Sequence, residues 1–188
     1  ETRLAPAQLI QPLFVAEAAQ KGPIASMPGQ TRLTLDQLAA ECAELHKLGI
    51  AAVALFPVIA PELKDELGNE AQNPEGLIPR AIRAVKSACP GMGVIVDIAL
   101  DPYTSHGHDG VMRGDEILND DTVHRLCQQS LNQARAGADI ISPSDMMDGR
   151  VGAIRWSATA RRTPSSCPTP PSTPAPSTAR SATPSAPR

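Results

Sequence analysis

The stretch from Val94 to Gly110 reads VIVDIALDPYTSHGHDG, and it decides the fold class of the chain. Its first seven residues are apolar apart from Asp97, and such a run predicts a largely buried strand. The residues that follow are mostly polar and include glycines, which predicts a loop. A buried strand that opens directly into a polar loop is typical of a parallel sheet whose loops carry the functional groups.

Further apolar runs lie on both sides of this stretch. They predict strands at 9–15, at 50–56 and at 138–141. Pro12 suits a strand end or a sheet edge, and Pro57 is expected to end the second run.

Helical spacing separates these runs. It predicts one helix that begins after Thr34 as N-cap, one over 77–88, and one over 119–136. Asn119 or Asp120 is expected to cap the third helix. The apolar face of the first helix is predicted to consist of Leu35, Leu38, Cys42, Leu45 and Leu48.

Strands that alternate with helices indicate βαβ units on a parallel sheet. Residues 1–155 hold about four such units. This number of residues per unit is typical of a (β/α)8 TIM barrel, which needs about 250 residues to close. We therefore predict an α/β fold that is the N-terminal half of a TIM barrel. A doubly wound open sheet is the alternative, but no GxGxxG follows the first strand, so a dinucleotide-binding fold has no support.

The composition changes abruptly after residue 155. Residues 1–155 hold all 20 acidic residues and 13 Lys and Arg, a net charge of −7, whereas residues 156–188 hold four Arg and no acid. Apart from Trp156 and Cys167, this tail consists of Ser, Thr, Ala, Pro and Arg. Because it has few apolar side chains to offset its ordering entropy, we predict a disordered tail after a partial barrel domain.

Several classes of protein are excluded by the same composition. A pI near 5.8 gives no electrostatic footprint for nucleic acid. No run approaches the roughly 18 apolar residues of a membrane span, and the start has no signal-peptide pattern. The four cysteines are scattered without a CxxC pair, so neither a zinc knuckle nor a disulfide framework is predicted, and a cytoplasmic location is expected. These cysteines are Cys42, Cys89, Cys127 and Cys167.

Three carboxylates and two imidazoles lie close together in the loop after the central strand. Asp97 and Asp101 are four residues apart, so on one strand they would share a face, and Asp109 is placed to return to the same spot. Oxygen ligands of this kind favour a hard cation such as Mg²⁺. The open alternative is a solvated loop whose charges cap helices, and His106 and His108 are expected to hydrogen-bond the backbone.

A second polar loop, Ser142 to Arg150, follows the last predicted strand. Ser144 or Asp145 is placed to hydrogen-bond a substrate or to cap the next helix, and spacing alone favours the cap. Met146 and Met147 are expected to fill the core.

The two loops, Asp97 to Gly110 and Ser142 to Arg150, resemble the signature loops of the porphobilinogen synthase (δ-aminolevulinic acid dehydratase) family. Leu9–Val15, Ser26–Gly29, Leu48–Val58 and Asn73–Leu77 agree with the same family. The resemblance implies a (β/α)8 lyase that condenses two molecules of 5-aminolevulinate to porphobilinogen in tetrapyrrole (heme) biosynthesis. It also implies a homo-oligomer, octamer or hexamer, with no nucleic-acid or membrane partner.

The resemblance also assigns roles to particular residues. Asp97 and Ser144 match family positions that line the substrate pocket. The positions that hold three zinc-binding cysteines in some members read Ala99, Asp101 and Asp109 here. This departure argues against active-site zinc and implies members that use magnesium, with Asp101 and Asp109 as ligands, or no active-site metal.

The family forms Schiff bases through two lysines on later strands, and neither is present. The lysines are Lys21, Lys47, Lys64 and Lys86, and none matches a catalytic position. Without these groups, and with half a barrel, we expect this chain alone to be inactive and prone to aggregation. Because Glu1 is not an initiator, a partial or damaged gene is expected.

The segment Thr169 to Ala186, TPPSTPAPSTARSATPSA, matches the family motif YSAKYASAFYGPFRDAVG when GC-rich codons are read one nucleotide late. We infer a single-nucleotide frameshift near Arg155 and Trp156, with a lysine codon read as Ser172. The alternative is a non-catalytic binding module whose proline-rich tail carries PxxP motifs.

Overall fold

A computed structural model describes residues 3–160, which form one six-stranded sheet with helices packed on its buried face and a small separate hairpin. The strands are β1 (Ile10–Ala16), β2 (Gly22–Pro23), β3 (Thr31–Leu33), β4 (Ala52–Val58), β5 (Gly93–Ile98), β6 (Met112–Arg113), β7 (Glu116–Ile117) and β8 (Ile140–Pro143). The helices are α1 (Leu35–Lys47), α2 (Leu77–Ala88), α3 (Asn119–Ala136) and α4 (Arg150–Ala160).

The main strands β1, β4, β5 and β8 are parallel and neighbour one another in chain order. A helix connects each to the next, as in a βαβ unit. The order of these four strands runs in one direction across the sheet, whereas the main strands of a doubly wound sheet reverse at a switch point; the short strands β3 and β2 lie on the other side of β1. The α/β fold of a partial barrel is therefore confirmed.

One face of the sheet forms the core. In β5, Val94, Val96 and Ile98 are buried against the helices, whereas Ile95 and Asp97 on the opposite face are half-buried. This alternation is the period-2 pattern of a strand whose two faces lie in different surroundings.

Helix α1 begins as its sequence predicts. The Thr34 hydroxyl accepts a hydrogen bond from the Gln37 backbone N–H, and the Gln37 side chain accepts one from the Thr34 N–H, which completes a capping box. Leu38 and Cys42 are fully buried. The prediction that Leu48 belongs to the apolar face is wrong, because the helix ends at Lys47 and Leu48 is 69% exposed.

The predicted ranges of α2 and α3 are confirmed, but the predicted cap of α3 is wrong. Leu118 occupies the N-cap position and provides no side-chain hydrogen bond, while Asn119 is already helical. Thr122 supports this first turn instead, because its hydroxyl donates to the Leu118 carbonyl at 2.6 Å.

Pro12 and Pro57 lie inside strands, at positions where the strand is paired on one side only. β1 pairs with β4 along its whole length but with β3 only near its C-terminal end, so Pro12 lies where one side of β1 is open. The prediction that Pro57 ends its strand is wrong, since β4 continues to Val58. β4 pairs with β5 only over Ala52–Leu55, so Pro57 also has an open side.

The strand boundaries differ from the predicted ones by up to two residues, and hydrogen bonds explain two of the shifts. β8 begins at Ile140, not at Ala138, because the Ala138 N–H still bonds the Gln133 carbonyl at the end of α3. β5 ends at Ile98 because the Leu100 carbonyl already accepts two bonds of the following turn.

The predicted boundary at residue 155 falls inside α4. The part of the tail prediction that covers 156–160 is therefore corrected to helix, in which Ser157 is buried. The prediction for residues 161–188 lies outside the described residues.

We expect Thr122→Val to destabilise the fold. The fully buried Thr122 hydroxyl accepts the Val111 N–H at 2.9 Å, so valine leaves that donor unpaired at a cost of about 1–3 kcal/mol. Thr122→Ser is the control, since it keeps the hydroxyl. Urea unfolding of both variants checks this, and equal midpoints would contradict it.

Candidate functional site

Asp97 and Ser144 meet at the carboxyl ends of two adjacent strands. β5 and β8 pair so that Asp97 lies opposite Ser142, and Ser144 follows two residues later. The Ser144 N–H donates to the Ile98 carbonyl at 3.3 Å, and its hydroxyl hydrogen-bonds the Asp97 carboxylate. The structure thus brings together the two residues that the sequence singled out.

The surroundings of Asp97 disfavour its charge. Partial burial raises the pKa of Asp97 above its ordinary value, and the negative charge of Asp109 acts in the same direction. The hydrogen bond from Ser144 and one from the Ile98 backbone oppose this rise. The Ser144 hydroxyl therefore acts directly to lower the pKa of Asp97.

Asp101 belongs to the same electrostatic neighbourhood. Burial is the largest of the effects that raise the pKa of Asp101, and the charges of Asp109 and Asp97 raise it further. Asp109 acts on both of its neighbours, which agrees with the prediction that the loop returns it to their vicinity. Like charges gathered in this way favour a cationic ligand.

The carboxylates do not form a ready metal cage. Among residues 3–160, no group of three or more His, Cys, Asp or Glu side chains is arranged to hold a metal ion. Ala99 contributes no side-chain ligand, and its carbonyl accepts from Gln129 Nε2 at 3.3 Å. The described residues therefore do not fit a cation that is held by protein side chains alone.

Sequence reasoning missed the contribution of Lys64. Its positive charge lowers the pKa of Asp101, against the larger effects of burial and of the neighbouring carboxylates. Lys64 reaches this region because the next residue, Asp65, pairs with the first polar loop: its N–H donates to the Tyr103 carbonyl at 3.3 Å, and its carbonyl accepts from the Ser105 N–H at 2.9 Å.

A local signal for that pairing exists in the sequence. The Asp65 carboxylate accepts the backbone N–H groups of Leu67 and Asn69 at 3.0 and 3.1 Å, an Asx-type turn. Although burial acts to raise the pKa of Asp65, its hydrogen bonds from Asn69, Leu67 and Gly68 hold it below the ordinary value. The turn is readable from residue types, but its partner loop is not.

The two loop histidines hydrogen-bond the backbone, as predicted. His106 Nε2 lies 3.2 Å from the Glu66 carbonyl, and its Nδ1 accepts the His108 N–H at 3.1 Å. His108 Nδ1 accepts the Gly110 N–H at the same distance. Both rings therefore shape the loop.

The second loop differs from its prediction in two respects. Asp145 does not cap a helix, because its carboxylate accepts the Met147 N–H in a turn and α4 begins only at Arg150. Met147 is buried as expected, but Met146 is 75% exposed, so the core role predicted for it is wrong.

Comparison with known proteins gives a consistent result. The family model described as delta-aminolevulinic acid dehydratase matches residues 1–165. The chloroplastic delta-aminolevulinic acid dehydratase of Selaginella martensii is 53% identical over 157 residues, which is 82% of this chain and 38% of that protein. The Bradyrhizobium diazoefficiens enzyme is 55% identical over 148 residues, 78% of this chain and 42% of that one.

A solved structure agrees with these relatives. The delta-aminolevulinic acid dehydratase of Toxoplasma gondii, in complex with its reaction product porphobilinogen, superposes with a TM-score of 0.83 at 50% identity. The match covers 86% of this chain and 46% of that one. The chain spans about two-fifths of the length of these curated relatives.

A search of the described residues for a helix long and apolar enough to cross a membrane finds none.

We expect Ser144→Ala to raise the pKa of Asp97 further, because the variant removes a hydrogen bond to the charged form. The Asp97 carboxyl is followed by ¹³C NMR against pH in both proteins. Ser87→Ala, at an exposed position of α2, is the control. An unchanged or lowered pKa in Ser144→Ala would show that this contact is not significant.

Proposed function

Because the chain belongs to the delta-aminolevulinic acid dehydratase family, we propose that it carries the first part of an enzyme that condenses two molecules of 5-aminolevulinate to porphobilinogen. The proposal covers a lyase reaction of tetrapyrrole (heme) biosynthesis, with 5-aminolevulinate as substrate.

The observation that carries this proposal is the contact between Asp97 and Ser144. It lies at the carboxyl ends of parallel strands, the end where barrel enzymes bind their substrates. 5-Aminolevulinate carries an amino group, a ketone and a carboxylate. The acidic neighbourhood of Asp97 and Asp101 suits the ammonium group, and the Ser144 hydroxyl, which donates its one proton to Asp97, keeps lone pairs that can accept a hydrogen bond from the same group.

None of the four lysines matches a position that forms a Schiff base in the family, so we assign binding groups to this chain but no amine for covalent catalysis. A Schiff base needs a lysine with a lowered pKa beside the substrate ketone. Lys47 pairs with Glu44 at the end of α1, and Lys86 pairs with Asp139 at 2.5 Å and donates to the Met92 carbonyl at 2.9 Å. We propose that this chain binds 5-aminolevulinate without condensing it.

The frameshift remains our explanation for the missing lysines. It is supported by the order of residues in Thr169 to Ala186, each of which can arise from a codon of the family motif read one nucleotide late; the family match runs past Trp156 but ends at residue 165, before this segment. The motif thus falls in the part of the chain that the family model does not match.

Magnesium, bound by Asp101 and Asp109, remains a proposal that rests on donor chemistry. Mg²⁺ binds proteins through one or two carboxylates and keeps several water ligands, so it needs no cage of three side chains. We also propose a homo-oligomer, octamer or hexamer, and a cytoplasmic location. The buried thiols of Cys42, Cys89 and Cys127, none in a disulfide, support a reducing compartment.

The substrate proposal is tested by calorimetric titration of the chain with 5-aminolevulinate. We expect saturable binding that Asp97→Asn weakens about tenfold, the loss of about 1.4 kcal/mol expected for one charged contact. Asp121→Asn makes the same chemical change at an exposed position of α3 and is expected to leave the affinity unchanged. No saturable binding, or equal losses in both variants, would refute the proposal.

The frameshift is tested by a new nucleotide read across the codons for Gly149 to Pro170. We expect one base to be missing or extra, and the corrected gene to yield a chain that produces porphobilinogen, measured by its colorimetric product assay. Expression of the gene as written is the control and is expected to give no product. A confirmed reading frame would contradict the frameshift.

A further inference from the structure

The carboxyl group of Asp145 is completely buried. Its side chain is 0% exposed, although it follows directly after the exposed Ser144. Oδ1 accepts the Met147 N–H at 2.7 Å, whereas Oδ2 makes no hydrogen bond to any described residue. Burial raises the pKa of Asp145, the Met147 N–H and the charge of Arg150 oppose the rise, and Asp109 adds to it.

Arg150 is the countercharge of this buried oxygen. Its Nε lies 3.1 Å from Asp145 Oδ2, and its Nη1 donates to the Met147 carbonyl at 2.9 Å. Asp145 thus binds the backbone N–H of Met147, and Arg150 binds its carbonyl. The three residues close a ring that fixes the turn between β8 and α4.

The ring is joined to the remainder of the site. Met147 packs close to Gly110, just after Asp109: a Cβ added at Gly110 would lie 3.2 Å from the Met147 methyl group. Asn119 and Asp148 exchange two hydrogen bonds, with Asn119 Oδ1 accepting the Asp148 N–H at 2.7 Å and Asn119 Nδ2 donating to its carbonyl at 3.3 Å. The turn is therefore anchored on the start of α3, and it packs against the end of the loop that carries the acidic residues.

Asp145 itself does not contact a ligand, because none of its side chain is exposed, and it caps no helix. What it touches is the segment directly after Ser144. If the charge of Arg150 is removed, Oδ2 is left buried without its countercharge, which destabilises the closed turn relative to an opened, hydrated one. An opened turn releases the adjoining peptide of Ser144.

We propose that Arg150 is a positioning residue for substrate binding: through the buried carboxylate of Asp145, it fixes the turn that holds the Ser144 hydroxyl on Asp97. The inference rests on the proposed function, in which Ser144 binds 5-aminolevulinate. Arg150 acts at a distance from the ligand, and its effect depends on Ser144.

A double-mutant cycle tests this dependence. We expect Arg150→Gln to weaken 5-aminolevulinate binding about tenfold, and Arg150→Lys, which keeps the charge, to restore most of the loss. In a Ser144→Ala background, Arg150→Gln is expected to weaken 5-aminolevulinate binding by less than about twofold, because the hydroxyl through which Arg150 acts on the ligand has already been removed. Arg135→Gln, the same change at an exposed position near the end of α3, is the control and is expected to bind as the parent chain does.

Amide hydrogen exchange gives a readout that needs no ligand. The Ser144 N–H, bonded to the Ile98 carbonyl, is expected to exchange about tenfold faster in Arg150→Gln, while the Val96 N–H in the middle of β5 is unchanged. Faster exchange at both amides would mean general destabilisation and would overturn the proposal.

The outcomes distinguish a failure of the positioning role of Arg150 from a failure of the proposed function. Equal losses from Arg150→Gln with and without Ser144, or an unchanged Ser144 amide, overturn the positioning role and leave the proposed function intact. A parent chain that does not bind 5-aminolevulinate overturns the proposed function. In that case the exchange of the Ser144 amide alone decides whether Arg150 positions this residue.

Discussion

The parallel register of β5 and β8 is the constraint on which the candidate site depends. It sets Asp97 opposite Ser142, so the chain that leaves β8 passes directly over the end of β5 and places Ser144 on the Asp97 carboxylate. A slip of one residue would turn Asp97 into the helix-covered core, since neighbouring residues of a strand point to opposite faces. The buried Val96 and Ile98 fix that register by their packing.

The same arrangement gathers negative charge that must be stabilised. Burial and mutual repulsion raise the pKa values of Asp97 and Asp101, so their charged forms are disfavoured in the folded chain. The protein offsets this with a hydrogen bond from Ser144 to Asp97 and with the nearby charge of Lys64, which acts on Asp101. The charge that remains favours a cationic ligand.

Local signals in the sequence predicted the elements well where a few neighbouring residues decide the outcome. The capping box at Thr34 and the ranges of α2 and α3 depend on periodicity and on contacts within one turn. Predictions were wrong where a neighbouring strand or loop decides: Pro57 stays in β4 because β5 leaves its side open, and Met146 faces solvent while Met147 packs inward.

By itself, the sequence determined the fold class and the family, and it selected Asp97 and Ser144 as candidate site residues, because apolar periodicity and loop motifs are properties of consecutive residues. Only the tertiary structure decided which charges face each other. Lys64 acts on Asp101 because the Asp65 strand bridge joins two distant loops, and Arg150 compensates Asp145 because the turn buries that carboxylate completely. Electrostatic interactions depend on distance and burial in space, and neither follows from position along the chain.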